Sequence, residues 1–122
     1  ARGTTDMEKC AVSGVTTVVS HQESGRAVID AGVKALALDK GLGIAAGGHG
    51  WVVGHPGIVV EKLSEEHGWL KLEDGESVQI GDRLEVIPNH ACVVTNLFNE
   101  VAVTRGTKVV DTWKVAARGR LA

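Results

Sequence analysis

The chain has no tyrosine, a single phenylalanine, two cysteines and two prolines in its 122 residues. Cys10 and Cys92 are too few and too far apart for a disulfide framework, which points to reduced thiols and a cytoplasmic setting. No apolar run approaches the ~20 residues of a transmembrane helix, and no charged-then-apolar signal segment opens the chain. Charge of one sign is missing too. A formal net charge of −2 offers neither the basic footprint that nucleic acid requires nor a polybasic patch for a membrane surface. Scarce proline beside sixteen glycines points to many tight turns between short strands.

What is present suits one modest globular core, since 43% of the residues are hydrophobic. Runs rich in β-branched residues predict strands over 11–20, 26–30, 58–63, 69–72 and 84–88, with a closing hairpin over 100–104 and 108–115. In the second of these, Ala27 and Ile29 share one face and Val28 takes the other. Segment 33–39 reads as extended or irregular, and Asp74-Gly75 as a hairpin turn. Seven glycines between 41 and 57 predict a loose loop decorated by His49, Trp51 and His55. That loop lacks the GxGxxG spacing and the Gly-Lys-Ser/Thr ending of a phosphate site. Residues 93–98 predict a short helix with Val94, Leu97 and Phe98 turned inward, and Trp69 and Trp113 read as core or rim packing. At least seven short strands without a long helix make an all-β barrel or sandwich.

The stretch EVIPNHACVVTNLF carries the most chemistry. After Pro88 it offers His90 and Cys92 with one residue between them, and imidazole and thiolate are donors that suit zinc and similar divalent ions. In an extended backbone such a pair points to one face, whereas on a regular helix it would splay. Asn89, Thr95, Asn96 and Asn99 surround the pair as sources of outer hydrogen bonds. Two donors fall short of the usual three or four, so a core cysteine beside a backbone-bonded histidine fits the spacing equally.

PNHACVVTNLF, followed by EVAVTRGTKVVDTWKVAARG, resembles the C-terminal domain of the D-threonine aldolase and D-serine dehydratase family. GRAVIDAGVKALALDKG and LSEEHGWL resemble two further blocks of the family, in the right order, so the likeness spans nearly the whole chain. The resemblance implies an enzyme built like alanine racemase, a pyridoxal-phosphate barrel followed by a β-domain. It implies that residues 1–122 are that metal-binding β-domain, with the barrel preceding it. The family's metal pair falls on His90 and Cys92, with zinc or manganese as the ion. Val93 and Phe98 stand where the family often has proline and a polar residue, which changes the contour near Phe98. The Glu65-Glu66-His67 turn, by the same resemblance, buttresses the active-site side.

The implied activity is that of a lyase acting on a small D-3-hydroxy amino acid, by dehydration or by retro-aldol cleavage. The Schiff-base lysine is expected on the barrel, because none of Lys9, Lys34, Lys40, Lys62, Lys71, Lys108 and Lys114 lies in a matching motif. The domain alone is therefore expected to be inactive, and the whole enzyme to be a homodimer. Two other readings stand beside this one. One is a β-barrel binding or assembly module without chemistry. The other is a self-sufficient metallohydrolase, which requires His49 or His67 to converge on His90.

Overall fold

The computed structural model describes residues 6–41 and 47–120. Eight strands and two short helices follow a 3-10 turn at Met7–Lys9: β1 Gly14–Glu23, β2 Arg26–Ile29, α1 Val33–Leu36, β3 Trp51–Val52, β4 Ile58–Leu63, β5 Gly68–Leu72, β6 Arg83–Ile87, α2 Ala91–Asn96, β7 Glu100–Arg105 and β8 Lys108–Lys114. The predicted all-β class is borne out.

Six strands form one antiparallel sheet in the order β3-β6-β1-β2-β5-β4, and β7 and β8 form a separate hairpin. The sheet curls until its two edges meet, where the His49 N–H donates to the Val60 carbonyl at 2.9 Å. Near-closure of this kind leaves little of the exposed edge that invites aggregation. Period-two alternation then fills the inside. On β1, Thr16 and Val18 point inward and Val15 and Val19 face out, and on β2 Ala27 and Ile29 are buried as expected. Val18, Ile29, Leu36, Val52, Val60, Leu70 and Val86 are almost wholly shielded. Each such side chain contributes roughly 1.5–3 kcal/mol on leaving water.

Segment 33–39 departs from expectation, since Val33–Leu36 is a helical turn rather than extended chain. Its start is fixed from outside: Val33 and Lys34 donate their N–H groups to the Ser64 and Glu65 carbonyls at 2.8 and 3.3 Å. Gly32 lets those backbones approach, because any Cβ there would collide with both carbonyls. The Asp74-Gly75 turn forms, with the Glu76 N–H on the Glu73 carbonyl at 3.0 Å, but it joins no hairpin. Strand β5 pairs with β2 and β4, and the chain crosses to β6, which pairs with β1 and β3.

The glycine-rich block also departs from expectation where it is described, residues 42–46 of the rejected phosphate loop lying outside the described residues. His49 lies in a bend but is buried, and Trp51 opens a strand, so neither is an exposed decoration of a loose loop. His55 anchors instead, its Nδ1 2.9 Å from Glu76 Oε2. In the closing hairpin Val101 faces Trp113 and Val103 faces Asp111. Trp113 is exposed rather than packed, as are Leu97 and Phe98, leaving Val94 as the inward residue of α2. Trp69 is half-buried, with the Lys62 ammonium 5.3 Å above its ring.

Candidate metal centre

Strand β6 ends at Ile87, and Pro88 follows without an N–H to continue the ladder. His90 then takes the N-cap position of α2 in extended conformation, φ −143° and ψ 99°, while Cys92 already lies within the helix. The pair therefore straddles a strand-to-helix junction, and the same-face argument for an extended run does not apply. The helix opens at Ala91, earlier than the predicted 93. Thr95 holds this first turn from inside, its Oγ1 donating to the Ala91 and Cys92 carbonyls at 3.1 and 3.3 Å.

His90 is half-buried and the Cys92 thiol is free and exposed, so the core-cysteine reading does not describe this site. The imidazole does not cap its own helix. Its Nδ1 lies 3.2 Å from Oδ2 of Asp39, which comes from the segment after α1. Asn89 fastens the same two regions, its Nδ2 donating to the Asp39 and Gly48 carbonyls, both at 2.9 Å. Among the described residues, neither His90 Nε2 nor Cys92 Sγ has a hydrogen-bond partner. One nitrogen and one sulfur thus remain available on an accessible lip.

Asn89, expected to hydrogen-bond the ligand pair, donates instead to the Asp39 and Gly48 carbonyls, and the Asp39 contact to His90 was not foreseen. The available signal was an acidic side chain between an apolar run and the glycine block. Other expected partners stay elsewhere. His49 is interior, and its Nδ1 is buried without a hydrogen-bond partner among the described residues. The charged turn ties to α1 through the Glu66–Lys34 ion pair, which raises the Lys34 pKa. His67 is exposed and adds a small attraction to Asp30. No group of three or more His, Cys, Asp and Glu side chains able to hold a metal occurs among the described residues, so no third ligand supports a self-sufficient metallohydrolase.

Residues 11–104 match the family model described as "Putative serine dehydratase domain". The chain belongs to the D-threonine aldolase and D-serine dehydratase family. Relatives fall into two sizes. An uncharacterized protein of Mycobacterium tuberculosis is 42% identical over 115 residues, which are 90% of this chain and 85% of that one. The 3-hydroxy-D-aspartate aldolase of Paracoccus denitrificans is 34% identical over 106 residues, 87% of this chain but 25% of the aldolase.

Solved structures agree. D-threonine aldolase from Filomicrobium marinum superposes with a TM-score of 0.76 at 31% identity, over 88% of this chain and 28% of the aldolase. D-threo-3-hydroxyaspartate dehydratase from Delftia sp. HT23 gives 0.70 at 30% identity, over 84% and 31%. The dehydratase of that name has also been solved as a histidine-to-alanine mutant and as a cysteine-to-alanine mutant in the metal-free form, the two positions lying two apart. No helix among the described residues is long and apolar enough to cross a membrane.

Proposed function

We propose that this chain is the C-terminal, metal-carrying β-domain of a D-3-hydroxy-amino-acid lyase whose pyridoxal phosphate sits on a preceding barrel domain. The supporting observation is the exposure of Cys92 beside His90, with Sγ and Nε2 both unengaged. A His-x-Cys pair also parallels the two positions altered in the related dehydratase. An imidazole nitrogen and a thiolate suit zinc or manganese and leave further coordination positions open. A bound ion supplies Lewis-acid stabilisation to the substrate's β-hydroxyl oxygen, and pyridoxal phosphate supplies an electron sink. The chain's own part is to hold that ion at an accessible lip. Dehydration and retro-aldol cleavage both draw on the same ligand pair, and the sulfur donor leans toward the dehydratase branch.

Surface character supports a partner at this end. Leu97 and Phe98 follow the ligand pair exposed, and β8 is exposed along its length. A two-stranded ribbon is marginal in water by itself, and the preceding barrel of the same polypeptide is the occupant assigned to this face. The whole enzyme is assigned as a homodimer in the cytoplasm, where free Cys10 and Cys92 stay reduced.

Calorimetric titration of zinc and manganese tests the ligand assignment. Binding is expected to be weak and to disappear in His90→Ala and in Cys92→Ala. Binding indifferent to both substitutions removes the site. A second reading, a non-catalytic β-barrel binding or assembly module, is favoured by the mycobacterial relative, 85% of which this domain covers. The parent reading frame separates the two: roughly 230 or more residues of barrel-coding sequence upstream support the lyase, and their absence supports the module.

A further inference from the structure

The carboxylate of Asp39 faces His90, and nothing in the family likeness asked for it. Three features converge on this contact. Ala37, buried between α1 and Asp39, is the one non-glycine residue with positive φ among the described residues, at φ 63° and ψ 169°. That region of backbone space is essentially reserved for glycine, and such strain persists only where surrounding structure enforces it. Here the enforcement is visible. The Ala37 N–H closes α1 onto the Val33 carbonyl at 2.9 Å, and the Asp39 carbonyl is clamped by Asn89 at 2.9 Å. The chain between those two ties turns sharply, and the turn delivers Asp39 Oδ2 to within 3.2 Å of His90 Nδ1.

An ionised carboxylate only accepts hydrogen bonds, so the His90 nitrogen facing it carries the proton. The lone pair of the neutral ring then resides on Nε2. A histidine side chain free in water prefers the opposite arrangement, with the proton on Nε2. Metal-binding histidines characteristically donate their other nitrogen to a carboxylate or carbonyl, which fixes the tautomer and strengthens the donor.

We infer that Asp39 is the positioning residue for His90: it selects the Nδ1–H tautomer, directs Nε2 at the divalent cation, and sets the affinity of the His90–Cys92 pair. This rests on the proposed ligand role of those two residues, and it goes further by assigning the ligating nitrogen and its partner. Asp39 touches the ion at no point in this scheme. It acts through the ring.

The test uses the 122-residue chain, nitrogen-15 NMR of the His90 ring near pH 8.5, and a zinc titration. The intact chain is expected to show a proton-bearing Nδ1 and a bare Nε2. Asp39→Ala is expected to shift the population toward Nε2–H and to weaken zinc binding about 10- to 100-fold. The Asn89 clamp uses the main-chain carbonyl of Asp39 and so survives the substitution. Asp39→Asn keeps an acceptor without charge; it should retain the tautomer and lose less affinity than Asp39→Ala. Unchanged tautomer and unchanged affinity in Asp39→Ala, with binding still abolished by His90→Ala, overturn this inference and leave the ligand assignment standing. Equal losses in Asp39→Ala and Asp39→Asn with the tautomer preserved also overturn it, because the hydrogen bond would then decide nothing. Zinc binding untouched by His90→Ala and Cys92→Ala removes both proposals together.

Discussion

Val18, Ile29, Val60 and Val86 of the curled sheet are almost wholly buried, whereas Val109, Val110 and Trp113 of the β7–β8 hairpin are 57%, 51% and 59% exposed. Both regions are antiparallel ladders rich in β-branched residues, so strand chemistry alone does not separate them. Closure does. The sheet meets itself through the His49–Val60 bond and encloses a core drawn from β1 to β6 with α1. Among the described residues, β7 and β8 pair in a ladder only with each other. The barrel thus carries a hairpin whose β8 is exposed along its length, and His90 and Cys92, the proposed ligand pair, lie in the chain between the two.

The largest expected effect lies in the barrel. Ile29→Ala should cost about 2–5 kcal/mol by leaving a cavity in a closed interior, read as a lower denaturation midpoint in urea. Trp113→Ala in the same chain should cost no more than about 0.5 kcal/mol, because an exposed side chain away from the core loses little. Equal costs would break the contrast and show that the hairpin is packed in solution.

His49→Phe sharpens the comparison at the seam of the barrel. The His49 backbone bridges the two sheet edges, but its Nδ1 is buried without a partner among the described residues. An apolar ring there leaves no unpaired buried nitrogen and should stabilise the chain by about 1 kcal/mol if the larger ring is accommodated, seen as a higher melting temperature. A loss of stability would mean that the ring meets a polar group on the barrel side.

The smallest effect concerns acid. Asp30 at the end of β2 accepts the Thr17 N–H and the Thr16 hydroxyl, both at 2.7 Å, and so fastens β2 to β1. These bonds, the Thr17 N–H foremost, hold its carboxyl below the ordinary value of 3.8. A depressed carboxylate contributes stability above its unfolded pKa and loses it as pH falls through the folded value. The barrel should therefore weaken from about pH 4 downward, and Asp30→Asn should flatten that dependence. Melting temperatures between about pH 2 and 6 measure it.

Much of the architecture was legible because closed β-domains write their pattern locally. The runs at β1, β2 and β4 to β8 announce themselves through β-branched residues and glycine turns. What escaped was set by contacts distant in sequence. Helix α1 is too short to nucleate alone, and it forms because Ser64 and Glu65 receive its first N–H groups. Strand β3 has only two residues, and it exists because β6 pairs with them. Asp74-Gly75 forms the expected turn, but the neighbours of β5 and β6 are chosen by the barrel as a whole. At the proposed metal site, His90 and Cys92 were visible as residue types at a telling spacing. Their backbone was not, since the helix begins between them. Asp39 was hidden because 51 positions separate it from the ring it faces.

Anomalous scattering at the zinc edge, from crystals soaked in zinc, tests the central claim most directly. The account predicts one strong peak within bonding distance of both His90 Nε2 and Cys92 Sγ, absent from crystals of Cys92→Ala. A peak bound elsewhere, or none beside these two side chains at saturating zinc, would contradict it.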